Sequence, residues 1–303
     1  MTRDVGSREP PVEAAVRLAG FTTIGIGGPA RAFARPTSLG ELQGVLARAA
    51  EHGLPVVPIG LGSNLLAADE GVDAVVVKLA GELATVRVEG DLLVAGGGAP
   101  NAVCLHRARA AGLGGFEFAC AIPGTAGGGV RMNAGAYGGD WADVLARALI
   151  VDATGARWLT REELDLSYRH SALAPGQVAA AVEFRLERRD PDEIRSLIAS
   201  LQAQRKAAQP TNRRTFGSVF KNPPHELGAG RMLEACRLKG FRIGGAVISP
   251  RHANFIENAG GATAADAIAL MAEARRRAAD QFGVELEREV ELLGPLELPP
   301  LAL

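Results

Sequence analysis

The sequence predicts an α+β protein, and three observations carry that expectation. Short β-branched runs recur along the chain, amphipathic segments with capping residues fall among and after them, and glycine-dense turns separate the two. No internal repeat and no low-complexity tract interrupts the pattern.

Taken in order, Val56–Ile59 and Ala74–Val77 read as strands on either side of Gly60-Leu-Gly-Ser-Asn64. Ala84–Val88 and Leu92–Ala95 flank Glu89-Gly90-Asp91 as a hairpin with a glycine turn. Pro100 suits a first helical turn and Gly112 a stop, so the segment between them predicts a helix. Ala148–Val151 and Arg157–Leu159 form a second hairpin around Asp152–Gly155. Thr160 with Glu163 then makes a capping box for a short helix, and Val178–Leu186 reads as a strand. Asp190-Pro-Asp-Glu193 opens a long helix to Ala208, ahead of Pro210. Residues 211–227 are polar and turn-rich, and a helix over Arg231–Leu238 is stopped by Gly240. Thr263 with Asp266 opens a last long helix to Phe282, and Val284–Leu293 reads as a closing strand.

Composition narrows the classes of function. A chain of 303 residues matches about two domains of ordinary size. Thirty-three Lys+Arg against 34 Asp+Glu give a net charge of −1, without the basic excess of a nucleic-acid binder. Only Cys104, Cys120 and Cys236 are present, with neither an even disulfide framework nor a CxxC metal spacing, so they read as small buried hydrophobes in a reducing compartment. The polar Met1–Pro10 segment lacks the apolar core of a signal peptide, and no window reaches the roughly 18 uninterrupted apolar residues of a membrane span. A soluble cytoplasmic protein is expected, with no metal, no nucleic-acid partner and no membrane partner.

Glycine is the departure from the average: 38 of 303 residues, against a usual share of about 7%. Dense glycine between strands lets backbone N–H groups approach a ligand closely, and a pyrophosphate is a common one. A single such loop is as well explained by a tight turn, but Gly60–Asn64, Ile122–Gly129 and Asn133–Gly139 make three. There is no G-x-x-x-x-G-K-[ST] phosphate loop. Gly25-Ile-Gly-Gly-Pro-Ala30 matches G-x-G-x-x-A formally, yet Pro36 follows too soon for the long helix whose N-terminus that motif requires.

Eight motifs, in order and with consistent spacing, carry a resemblance: Thr23–Ala30, Gly60–Asn64, Ile122–Thr125, Asn133–Gly138, Ser167-Tyr-Arg169, Gly217–Pro223, His252–Phe255 and Leu286–Val290. Over about residues 20–294 the chain resembles the UDP-N-acetylenolpyruvoylglucosamine reductases of peptidoglycan (cell-wall) precursor synthesis. The resemblance implies non-covalent FAD on the FAD-binding fold of the vanillyl-alcohol-oxidase type, followed by an α+β substrate-binding domain. It implies three domains: residues 1–80, joined by a C-terminal strand at 285–303; residues 81–207; and a substrate domain at 208–284. It implies NADPH as co-substrate and a nucleotide-sugar substrate. Cofactor-binding positions would be Gly60, Gly62, Ser63, Asn64, Ile122, Pro123, Gly124, Thr125, Gly135 and Tyr137.

In the reaction that the resemblance implies, hydride reaches an enolpyruvyl carbon and leaves negative charge beside the substrate carboxylate. Ser218 corresponds to the proton donor at the carbon alpha to that carboxylate. Arg169 and Glu289 correspond to the groups that stabilise the intermediate, with Glu289 expected near neutral in the closed complex. Tyr168, Asn222 and Lys221 match substrate contacts. Taken singly, Ser218 reads as a turn residue, Arg169 as a solvated strand-edge cation and Glu289 as one acid of an amphipathic strand; the collinear match overrides those readings. His170 and His252 keep structural readings.

The match departs at Ala172-Leu-Ala-Pro175, where an aromatic and a lysine are common, and at Phe216, which is expected to crowd the substrate. The short Tyr168-to-Ser218 interval leaves no room for a lid insertion, so the chain resembles the short-loop (type II-like) subtype. Two other functions remain open from sequence: a flavin oxidase or dehydrogenase of the same fold acting on another small substrate, and a flavin-binding protein without turnover.

Overall fold

The computed structural model describes residues 12–301; the Met1–Pro10 segment lies outside the described residues, and so do Ala302 and Leu303. The chain divides into two compact units. The first holds Arg31–Leu61 and Asp73–Gln202 together with residues up to Ala15; the second holds Val16–Ala30, Gly62–Val72 and Ala203–Leu303.

A five-stranded antiparallel sheet forms the frame of the first unit, in the order Gly155–Thr160, Leu145–Asp152, Val178–Arg185, Leu92–Gly96, Val86–Glu89. Both expected hairpins are in it, closed by the pairs Glu89↔Leu92 and Asp152↔Gly155. The helices Asn101–Ala110 and Ala126–Met132 belong to the same core as this sheet. Phe116, Phe118, Trp141 and Phe184 meet there edge-on or tilted, with ring centroids 4.9–5.9 Å apart. A second apolar cluster joins Leu42, Val45, Leu46 and Ala49 to Val75, Val77, Val151, Val178 and Ala180. The first four lie on the helix Leu39–Glu51, absent from the sequence reading although its signals were present. Ser38 Oγ accepts from the Glu41 N–H, the Glu41 carboxylate accepts from the Thr37 N–H, and apolar residues recur at helical spacing.

In the second unit a four-stranded antiparallel sheet runs Thr215–Ser218, Phe255–Asn258, Ala246–Ile248, Arg242–Ile243. The helices Ala229–Ala235 and Ala264–Phe282 share its core with Ile24, Ile26, Leu66 and Val290. Thr263 and Asp266 form the expected reciprocal cap, and Gly283 ends the helix in the left-handed conformation.

Several local expectations change. Thr160 and Glu163 exchange both capping bonds, but only turns follow, because Asp165 adopts a positive φ of 44° one turn later. The expected Val284–Leu293 strand shrinks to Glu291–Leu293, which pairs in parallel with Leu65–Ala67. The Arg231–Leu238 helix is Ala229–Ala235, ended by Arg237 at φ 57°. Gly25–Ala30 leads into a strand, Pro29–Ala34, and the next helix, Leu39–Glu51, begins only beyond Pro36, so no helix N-terminus lies at the motif, which agrees with rejecting the dinucleotide fingerprint. Phe216 is fully buried among Ile24, Met232 and Leu270, so it fills the core and does not crowd a substrate. Cys104 and Cys236 are buried and Cys120 half-buried, and none of the three is in a disulfide.

Candidate active site

In the first unit an open cleft is lined by Gly60, Gly97, Gly98, Gly127 and Gly128 together with apolar side chains such as Ile59, Val77, Leu79 and Val178. Gly60 lies against Thr125: a Cβ at Gly60 would stand 2.6 Å from the threonine Oγ1. A Cβ at Gly127 would stand 2.7 Å from the Ala179 carbonyl oxygen and 2.9 Å from that of Gly97. Side chains are therefore excluded at the glycine positions where these segments meet. The Lys78 ammonium donates to the Gly60 carbonyl at 2.6 Å, and burial followed by the nearby Arg35 charge holds its pKa below the ordinary lysine value.

The Ile122–Thr125 loop is fixed at both ends. Asn101, almost fully buried, donates through Nδ2 to the Ile122 carbonyl at 3.1 Å and through its backbone N–H to the Gly124 carbonyl at 3.0 Å. Thr125 Oγ1 accepts from the Gly128 N–H as N-cap of Ala126–Met132.

Asn133 organises the neighbouring turns. It is buried in a left-handed conformation; its Nδ2 donates to the Ser167 carbonyl at 2.9 Å and to Asp140 at 3.2 Å, and its Oδ1 accepts from the Ala142 N–H. Between its partners, Gly135-Ala136 pairs with Gly139-Asp140 around Tyr137 and Gly138, both at positive φ, as in a type I′ turn. Ser167 and His170 pair across a second tight turn that presents Tyr168 and Arg169. Arg169 Nη2 donates to the Gly135 carbonyl at 2.7 Å, and its guanidinium lies 5.1 Å from the centroid of the exposed Tyr168 ring. The structure thus brings together Gly135, Tyr137, Tyr168 and Arg169. Arg169 holds φ 54°, a strained conformation for a non-glycine residue. His170 is exposed.

Ser63, Asn64, Ser218 and Glu289 come together in the second unit. Asn64 Nδ2 donates to the Glu289 carbonyl at 3.0 Å, and the Glu289 N–H donates to the Val219 carbonyl at 2.9 Å. Ser218 ends its strand after Gly217, whose φ of 83° goes with an irregular register between Thr215 and Ser218; a Cβ on Gly217 would meet the Ser63 carbonyl oxygen at 3.2 Å. Gly62 is buried nearby, its carbonyl taking the Thr23 N–H. Ser218 and Glu289 are both half-buried, accessible to a ligand yet held by backbone pairing.

Lys221 and Asn222 carry duties of their own. Lys221 Nζ donates to Glu287 at 2.6 Å, and Asn222 Oδ1 accepts from the Ala229 N–H at 3.0 Å, at the start of Ala229–Ala235. Asn254, 3% exposed, exchanges two hydrogen bonds with the Phe220 backbone and so fixes the strand end that carries Ser218. His252 packs edge-on against Phe255, and burial holds its pKa below the ordinary histidine value, in keeping with a structural residue. The sequence reading gave no separate role to Lys78, Asn101, Asn133 or Asn254; the last two lie in quoted motifs, and the first two are signalled only by packing.

Comparison with known proteins gives two family matches. Residues 30–160 match the FAD binding domain, and residues 209–293 match the C-terminal domain of UDP-N-acetylenolpyruvoylglucosamine reductase. The UDP-N-acetylenolpyruvoylglucosamine reductase of Anaeromyxobacter dehalogenans is 45% identical over 283 residues, 93% of this chain and 85% of that protein. That of Rubrobacter xylanophilus is 43% identical over 276 residues, 90% of this chain and 92% of its own. The crystal structure of UDP-N-acetylenolpyruvylglucosamine reductase from Thermus caldophilus superposes with a TM-score of 0.83 at 38% identity, covering 94% of this chain and 99% of that one. The architecture is an FAD binding domain followed by the reductase C-terminal domain. With identity of this order over nine tenths of its length, the chain belongs to the UDP-N-acetylenolpyruvoylglucosamine reductase family.

Proposed function

We propose that the protein is a cytoplasmic, NADPH-dependent flavoenzyme that reduces UDP-N-acetylenolpyruvoylglucosamine to UDP-N-acetylmuramate, a step of peptidoglycan precursor synthesis. The observation that carries this reading is that Ser218 and Glu289 are held on one backbone ladder in the part matching the reductase C-terminal domain, while the first unit, which contains most of the FAD-binding-domain match, holds a glycine-lined cleft of its own. The cleft fits the cofactor chemically: glycine segments leave amide groups unhindered, and Lys78 brings positive charge beside Gly60. Gly60, Gly62, Ser63, Asn64, Ile122, Pro123, Gly124, Thr125, Gly135 and Tyr137 are assigned to FAD. Bound FAD would supply what no side chain can, acceptance of two electrons from NADPH and their return as hydride.

The protein's own part is charge and proton management. Hydride addition to the terminal enolpyruvyl carbon leaves an electron pair on the carbon alpha to the carboxylate. Ser218 gives its hydroxyl proton to that carbon, so that one hydride and one proton add across the double bond. A serine hydroxyl is a weak acid and serves only toward a carbanion this basic. Arg169 contributes positive charge to the enolate, and Glu289, held near neutral in the closed complex, donates a hydrogen bond without adding repulsion. Tyr168, Lys221 and Asn222 are assigned to the nucleotide-sugar substrate. The FAD part is read as two subdomains meeting near residue 80, with the substrate domain at about 208–284, a placement supported by the match of residues 209–293 to the reductase C-terminal domain.

The test is an anaerobic titration of the FAD-loaded protein. NADPH should bleach the visible flavin band, and the enolpyruvyl nucleotide should restore it. Bleaching without recovery would return the oxidase or the non-catalytic flavoprotein reading, and failure to bind FAD would overturn the proposal.

A further inference from the structure

Arg131 has no role in the reaction proposed above, yet it borders the cleft. It sits in the last turn of Ala126–Met132, between the glycine segment and the 171–174 segment. Its backbone carbonyl takes the Ser171 hydroxyl at 2.7 Å, and its Nη1 donates to the carbonyls of Leu173 and Ala174 at 3.1 and 3.5 Å. One edge of the guanidinium is therefore fixed. No carboxylate among the described residues pairs with it. A half-buried cation satisfied only by neutral carbonyls still lacks a counter-charge, and an anion entering the cleft supplies one. Lys78 repeats the pattern at Gly60, with a carbonyl as its hydrogen-bond partner.

The rest of the lining says which part of a dinucleotide this is. Val77, Leu79, Val178 and Ala179 offer an apolar wall beside the glycine backbone. An apolar wall, unhindered amides and a positioned guanidinium together suit a heterocycle joined to a diphosphate. Resting on the flavoenzyme reading, we infer that Arg131 contacts the ADP portion of FAD and makes the cleft prefer FAD to FMN, which lacks the AMP half.

The experiment uses the full-length apoprotein and measures binding, not turnover. FAD and FMN are titrated by flavin fluorescence, ADP is titrated as a competitor, and melting is followed with and without FAD. Wild-type protein is measured first: if it binds no FAD, the flavoenzyme reading itself fails, whatever the variants do. If it binds FAD, Arg131→Gln should weaken both FAD and ADP by about tenfold, as expected for losing a charge-assisted hydrogen bond, and leave FMN unchanged. Arg131→Lys, which keeps the charge but not the fork of donors, should retain most of the affinity; if the glutamine variant does not fold, Arg131→Met carries the same expected loss of about tenfold for FAD and ADP. Equal FAD and ADP binding by wild type and both variants would overturn the inference alone. So would a loss that falls as heavily on FMN as on FAD, or apoprotein destabilisation with the FAD-induced rise in Tm intact, since each marks a purely structural residue.

Discussion

The two units prepare their chemistry in opposite ways. In the first, Gly60, Gly97, Gly127 and Gly128 keep side chains out of tight approaches in a cleft otherwise lined by apolar residues. In the second, Ser218 and Glu289 present polar side chains from segments tied by backbone bonds such as Glu289 N–H to Val219 O. A cofactor that stays bound can be gripped by the backbone, whereas a transient charge on a substrate needs groups that give or hold a proton. Substitutions should therefore fail differently in the two units, by steric exclusion in one and by lost chemistry in the other.

The largest effect that would sharpen this contrast is Ser218→Ala. Flavin reoxidation by the enolpyruvyl nucleotide should slow by about 10²–10⁴-fold, as for loss of a general acid, while reduction by NADPH changes little. Anaerobic stopped-flow absorbance separates the two half-reactions; equal loss of both would erase the contrast. Gly127→Ala comes next. Its methyl group has to displace the Ala179 and Gly97 carbonyls, so the apoprotein should lose about 2–3 kcal/mol in urea unfolding and its FAD affinity with it. A variant of unchanged stability would show that the backbone does not close the cleft there.

Lys78→Met should have a smaller effect, weakening FAD by about tenfold without changing the rate of the loaded enzyme. The Gly60 carbonyl loses its donor and the loop its positive charge. Because the Lys78 pKa is depressed, wild-type FAD affinity should fall with rising pH below the ordinary lysine range, and the variant should lack that step. The smallest effect concerns Asp152, whose carboxyl is held at about 2, against an ordinary 3.8, first by the Thr154 hydroxyl and then by the Gln177 amide. The stability it supplies is complete above about 3.8 and is lost as pH falls toward about 2. Asp152→Asn should flatten that part of an acid-unfolding profile and leave the neutral-pH reaction unaltered.

What was legible in the sequence follows the same division. Hairpins closed at Glu89↔Leu92 and Asp152↔Gly155 and the capped helix Ala264–Phe282 rest on neighbours in the chain, so spacing and turn residues reveal them. The Leu39–Glu51 helix was equally local and was missed despite its Ser38 cap. The candidate residues were found by collinear motifs, because a serine after a glycine or a lone glutamate has no distinctive spacing. Phe216 was misjudged for a related reason: it lies next to Gly217-Ser218 in sequence, but strand alternation turns it into the core.

By itself the sequence determined the α+β order, the glycine-dense loops and the motif set, since each is a property of short segments. Only the tertiary structure decided which glycines lie under a foreign carbonyl and that Asn101, Asn133 and Asn254 are the buried ties of the loops. It also decided that Arg131 stands at the cleft without a carboxylate and that Val284–Leu293 keeps only three strand residues. Those outcomes depend on partners tens to hundreds of residues away, as between Asn64 and Glu289, and a linear pattern holds no record of which distant group arrives.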